Sequence, residues 1–161
     1  MGLREEVAED LKQAMRQRDE IRVSTLRLLS AAIKNLEVER TDLKNPAHGK
    51  PVTEEDLRSV VRKQIKMRDE AIEGFRKGGN TVAAEREAQE KEILQEYLPR
   101  QLSRDEVVAR VRELVAEHGR SFPVIIKLAM SELKDQAEGR TISEVVRELT
   151  SEGRTAHAEN P

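Results

Sequence analysis

Apolar positions along this chain recur at helical spacing from one end to the other and never alternate as a half-buried strand would require. Leu3, Val7, Leu11 and Met15 fall four apart and predict an apolar stripe on a helix over about Gly2–Arg18. Asp19 is a capping residue for a second helix from Glu20 to about Arg40. There Ile21, Leu28, Leu29, Ala32, Ile33 and Leu36 make a wider apolar face. The polar stretch Thr41–Val52 holds two prolines and a glycine and reads as a mobile loop.

A third helix opens at Thr53, with Glu54, Glu55 and Asp56 in the turn where the helix dipole favours acids. It continues to about Lys77 through Leu57, Val60, Val61, Ile65, Ile72 and Phe75. Gly78-Gly79-Asn80 turns the chain into a fourth helix, charged nearly all round until Ile93, Leu94, Tyr97 and Leu98. The third and fourth helices are therefore expected to form a long antiparallel hairpin. Pro99 breaks the pattern. Ser103 and Glu106 then form a capping box, with Leu102 and Val107 as its hydrophobic staple.

The fifth helix carries Val107, Val108, Val111, Leu114 and Val115 and ends at Gly119. A sixth covers about Pro123–Gln136, with Gly139 as a C-cap beyond it. Thr141 and Glu144 suggest a second capping box, opening a last helix through Ile142, Val145, Val146 and Leu149. The expected fold is all-α. A four-helix N-terminal domain (1–98) leads through a hinge (99–102) into a small three-helix domain (103–151), and 152–161 form a disordered tail.

Composition narrows this further. Apolar and charged residues each make up 37% of the 161 residues, which fits narrow buried stripes. Phe75, Tyr97 and Phe122 are the only aromatic residues, so the cores must be aliphatic. A near balance of 29 basic and 31 acidic residues lacks the strong single sign of a dedicated nucleic-acid-binding domain. Any RNA affinity must come from a local patch. The absence of cysteine removes disulfides and thiolate sites and suits a reducing compartment. No stretch is apolar enough for a signal peptide or a membrane span. These points lead to an expected cytoplasmic location with no membrane contact.

No catalytic constellation is evident. His48, His118 and His157 lie apart, in a loop, at a helix end and in the tail, so no metal site is expected. The carboxylates sit on charged helices, where salt bridging to solvent-facing partners is the ordinary role. No phosphate-binding glycine loop and no nucleophile elbow is present, and no cofactor is expected. Two basic groups remain. Arg58, Arg62 and Lys66 form a row on the third helix, broadened by Lys63, which could contact phosphates. The ordinary alternative is a solvated face neutralised by Asp69, Glu70 and the fourth helix. In the second domain Lys127, Lys134, Arg140 and Arg147 cluster around the turn at Gly139, where a backbone could approach a ligand closely.

Three runs carry a family resemblance: RVSTLRLLSAAIKNLEVE (Arg22–Glu39), RKQIKMRDEAIEGFRKGG (Arg62–Gly79) and EILQEYLPRQLS (Glu92–Ser103). They resemble the YqeY proteins of the GatB/YqeY family, and a weaker match in ELKDQAEGRTISEVVREL (Glu132–Leu149) extends the likeness over nearly the whole chain. The resemblance implies two helical domains. The second is similar to the C-terminal tail domain of the GatB component of the glutamine-dependent aspartyl/glutamyl-tRNA amidotransferase, where the tail helps hold tRNA and transfer chemistry sits elsewhere. It points to a non-catalytic accessory protein that binds tRNA, or a tRNA-associated partner, through Lys127, Lys134, Gly139, Arg140 and Arg147. Two rivals stand beside it. One is a protein-interaction module acting through the helical hairpin. The other is a component of carbon–nitrogen ligase activity with glutamine as donor. The chain departs from the family pattern at Phe122-Pro123-Val124 and at Lys134-Asp135-Gln136-Ala137-Glu138-Gly139. Basic positions there become Val124 and Gln136, which implies a weakened tRNA surface.

Overall fold

A computed structural model of the chain describes residues 2–158, and the side chains of residues 2–151. Seven helices and no strand are found among the described residues. The chain divides into two compact units at the Leu98–Pro99 junction.

The first unit holds α1 (Leu3–Gln17), α2 (Glu20–Glu39), α3 (Glu54–Lys77) and α4 (Thr81–Gln95). Its helix starts follow local chemistry. Asp19 accepts the Arg22 N–H at 3.1 Å, and Asn80 accepts that of Ala83 at the same distance. At α3, Thr53 and Asp56 form a reciprocal capping box, in which Asp56 accepts the Thr53 N–H at 2.9 Å. That bond, followed by the Thr53 hydroxyl and Arg40, holds the Asp56 carboxyl below its ordinary range. Gly2 offers no side chain to cap α1, and Glu54 from the start of α3 takes the Leu3 N–H at 3.1 Å instead.

The core of this unit is aliphatic with one aromatic: Leu3, Val7, Leu26, Leu29, Ile33, Leu57, Val61, Ile65, Ile93, Leu94 and Tyr97. Three residues of the expected apolar stripes are exposed: Met15, Leu28 and Phe75. Met15 is 49% exposed while Ala14 is buried. A repeat of four drifts against 3.6 residues per turn, so the fourth member of the stripe leaves the face that Ala14 enters. Leu28 is 50% exposed, because Thr25, Leu26, Leu29 and Ile33 already fill the inward face of α2.

The loop between α2 and α3 is a chain of tight turns closed on Arg40. Arg40 Nη1 donates to the carbonyls of Lys50 and Pro51 at 3.4 and 3.3 Å, and its guanidinium meets Asp56 at 3.1 Å. The α3–α4 turn needs a left-handed residue, and Gly79 supplies it at φ +75°.

The second unit holds α5 (Arg104–His118), α6 (Phe122–Leu133) and α7 (Gly139–Ala158). The Ser103–Glu106 capping box forms as the sequence implies: Ser103 N–H to Glu106 at 2.8 Å, Glu106 N–H to Ser103 Oγ at 3.2 Å. The core comprises Val107, Val111, Leu114, Ile125, Ala129, Leu133, Ala137, Ile142, Val145, Val146 and Leu149, with Leu102 packed against it.

Three boundaries differ from the sequence reading. α6 ends at Leu133, where the N–H groups of Gln136 and Ala137 both turn back to the Leu133 carbonyl, at 2.9 and 3.0 Å. α7 opens at Gly139, so Thr141 lies inside its first turn and Glu144 pairs with Arg104 instead of completing a cap. α7 continues to Ala158 past the expected stop at Ser151. The side chains of 152–158, His157 included, and all of 159–161 lie outside the described residues.

Candidate functional site

The α6–α7 hairpin carries the basic cluster. Lys127 and Lys134 are seven residues apart, as are Arg140 and Arg147, so each pair occupies one stripe, two turns along its helix axis or its continuation. All four are exposed. The inward faces are fixed by Ile125, Ala129 and Leu133 on α6 and by Ile142, Val145, Val146 and Leu149 on α7. The flanks that turn toward α5 are acidic. Glu132 makes a fork with Arg110, at 2.9 Å to Nε and 2.6 Å to Nη2. Glu144 and Glu148 both meet Arg104, at 3.4 and 2.6 Å. On α7, Arg140, Glu144 and Glu148 fall four apart and Arg147 adjoins Glu148, so the arginines run beside the acids that meet Arg104, while Lys127 and Lys134 lie opposite the Ile125, Ala129 and Leu133 face of α6. Lys134 already has a partner of its own, as do its turn neighbours Asp135 and Glu138.

Gly139 does not play the role expected of it. It is the first residue of α7, is absent from the left-handed glycines, and is not a C-cap of α6. A Cβ added there would meet Met130 Cε at 3.7 Å, an ordinary contact. No steric demand for glycine exists in the protein itself.

An open groove of about 340 Å³ runs on the α5 side of this unit, lined by Leu102, Ala109 and Leu133 with Glu106, Arg110, Glu113, Glu132 and Gln136. Three carboxylates to one guanidinium make it a poor phosphate site. Arg110 is saturated by Glu132 first and Glu113 second, which hold its pKa above the ordinary arginine value.

In the basic row on α3, two of the four cations meet one carboxylate. Glu55, one turn upstream, takes Arg58 at 3.1 Å and Arg62 at 2.9 Å. Asp69 pairs with Lys91 of α4 at 2.7 Å. Lys63 and Lys66 remain exposed. One turn further along α3 lies a group that sequence reasoning missed. Arg68 is 8% exposed and sits 2.9 Å from the equally buried Glu90 and 3.5 Å from Glu87, both on α4. The approach is close but poorly aligned, leaving Arg68 Nε and Glu87 Oε2 without a hydrogen bond among the described residues. Burial, then the neighbouring Glu90 charge, pushes the Glu87 carboxyl up. The available signal was spacing: Glu87 and Glu90 are three apart and share one face.

At the end of the first unit, Tyr97 is buried and its hydroxyl donates to Asp10 Oδ2 at 2.6 Å. Burial and that acceptor raise the phenol well above its ordinary pKa. Arg22 forks onto Glu96 at 2.8 and 3.0 Å, which lowers the Glu96 carboxyl. These are structural ties. No group of three or more metal-ligating side chains occurs among the described residues, and no described helix is long and apolar enough to cross a membrane.

The family model for YqeY-like proteins matches residues 4–150. The chain belongs to that family. Among curated relatives, "Altered inheritance of mitochondria protein 41, mitochondrial" of Lachancea thermotolerans is 36% identical over 116 residues, covering 71% of this chain and 58% of the relative. The protein of the same name in Eremothecium gossypii is 32% identical over 117 residues, covering 69% and 60%. That of Pyrenophora tritici-repentis is 30% identical over 147 residues, covering 87% and 76%. The chain thus spans about three-fifths of the length of the first two. The expected cytoplasmic location is overturned by these relatives, which are named as mitochondrial. The expectation rested on missing cysteines and a missing export signal, and those features do not distinguish the cytosol from a reducing organelle interior.

Proposed function

We propose that this YqeY-family chain is a non-catalytic accessory protein whose second unit, acting as a domain in its own right, binds tRNA or a tRNA-bound partner. The observation that carries the reading is that Lys127, Lys134, Arg140 and Arg147 are all exposed on the α6–α7 hairpin, outside the core that holds the two helices together. Such an arrangement suits phosphate positioning rather than base readout, since it offers cations on a rigid hairpin with no aromatic residue between Lys127 and Arg147 on which a base could stack. Two circumstances make the affinity modest. Lys134 is shared with a local partner, and Val124 and Gln136 stand at positions where the resembled family often has a basic residue. The test is a gel-shift titration of the full chain with bulk tRNA. Salt-sensitive binding at low ionic strength is expected, and no shift at any protein concentration at low salt would overturn the reading.

A second reading is favoured by a separate observation. The α3–α4 hairpin exposes Met67 (47%), Phe75 (37%) and Val82 (77%), while its Arg58 and Arg62 both meet Glu55. Such a surface suits a protein partner better than RNA. A stoichiometric protein recovered by affinity capture after nuclease treatment, and lost in a Phe75→Ser/Val82→Ser variant, would raise this reading above the first.

A further inference from the structure

The segment from Arg100 to Leu102 is not a loose hinge. Gln101 Nε2 donates to the Asp135 carbonyl at 2.8 Å and to the Pro99 carbonyl at 3.0 Å. The Leu102 N–H donates to the Gln136 carbonyl at 2.7 Å. Leu102 packs on the core of the second unit, and Arg100 meets Glu106 at 3.0 Å. The entry segment therefore lies along the α6–α7 turn and fastens two consecutive carbonyls of it. That turn begins with Lys134 and delivers the chain to Arg140, so its conformation sets the spacing between the lysine and arginine stripes. Within it, the Gln136 and Ala137 N–H groups both bond to the Leu133 carbonyl.

We infer that Gln101 is a positioning residue for the basic face: its carboxamide clamps the α6–α7 turn and holds Lys134 and Arg140 in register for a polyanion. The part concerning polyanions rests on the function proposed above; the clamp itself does not. Gln101 is suited to the task because one amide group spans the Pro99 and Asp135 carbonyls. An alanine would remove the Gln101 bond from the entry segment to the turn and leave that of the Leu102 N–H. Alanine at Gln101 changes no cation and removes no core residue, so a loss of affinity there would have to arise from geometry.

The experiment compares the full-length chain with Gln101→Ala, and with Arg100→Ala as a neighbouring control. It uses residue-resolved amide exchange and tRNA titration in the same buffer. In Gln101→Ala the Leu102, Gln136 and Ala137 amides should exchange about five-fold faster, the change expected for one hydrogen bond. Amides of Val111 and Val146 should be unaffected. Binding to tRNA should weaken about three-fold to ten-fold with an unchanged salt slope, since no cation is lost. Arg100→Ala should leave exchange in the turn unchanged. Gln101→Leu, which keeps the bulk and loses the donor, should behave as Gln101→Ala. Unchanged exchange of those three amides in both Gln101 variants would overturn the clamp. Faster exchange with no tRNA binding by either protein would leave the clamp standing and remove the function proposed for the face.

Discussion

Replacing Arg68 by methionine tests the energetics of the α3–α4 hairpin. Arg68, Glu90 and Glu87 have side chains 10%, 8% and 22% exposed, well inside the regime where removing one member of a pair strands a buried charge. Breaking such a pair costs about 3–5 kcal/mol, far above the ~0.5 kcal/mol of an exposed helical pair. The lower end applies here. Glu90 keeps Arg86 at 3.7 Å, and the Arg68 contact lacks hydrogen-bond alignment. Arg68→Met should therefore destabilise the first unit by about 3 kcal/mol. Replacing all three groups by apolar residues of similar volume should recover most of the loss, because no charge is left stranded. Urea unfolding followed by near-ultraviolet circular dichroism of Tyr97, the one tyrosine, reports this unit specifically. A loss below about 1 kcal/mol, or a triple variant no more stable than Arg68→Met, would refute the claim that the pair is energetically buried.

The same site has a pH signature. Glu87 has a raised pKa, so its charged form opposes folding above that value and the opposition fades as pH falls through it. Glu87→Gln should stabilise the first unit at neutral pH, and its advantage should shrink as the pH is lowered toward the carboxylate range; urea midpoints at the two conditions check this. Asp56 and Glu96 work the other way. Their lowered pKa values give stability present at neutral pH and lost as pH falls below the ordinary carboxylate range, which an acid titration of the same signal should show. Ser103→Ala removes the α5 cap and should cost the second unit about 1 kcal/mol, read from exchange of the Val107 and Val111 amides. Gly139→Ala should be neutral or stabilise by about 0.5–1 kcal/mol, since the position is helical with room for a Cβ. A marked loss of stability there would contradict the helix start at Gly139.

Much of the fold was legible because its signals are local. The seven apolar stripes, the Ser103–Glu106 box and the Gly78-Gly79-Asn80 turn each depend on residues within a few positions of one another. Long-range ties were not. Nothing in the local pattern says that Glu54 caps α1, that Tyr97 reaches Asp10 across 87 residues, or that Arg40 closes the loop before α3. The α6–α7 turn was misread for a related reason. Thr141-x-x-Glu144 looks like a capping box, yet α7 starts three residues earlier, at Gly139, and Glu144 meets Arg104. The basic residues themselves could be named from sequence. Which of them meet an acid required the glutamates that the fold brings beside them.

The central claim, that Lys127, Lys134, Arg140 and Arg147 form a phosphate-positioning face, is tested most directly by the salt dependence of tRNA binding. If all four engage phosphates, a plot of log affinity against log salt should have a slope of about −3. Replacing all four by glutamine should bring that slope close to zero, while changing Lys63 and Lys66 should barely move it. A wild-type slope near zero, or one that survives in the quadruple variant, would contradict the account.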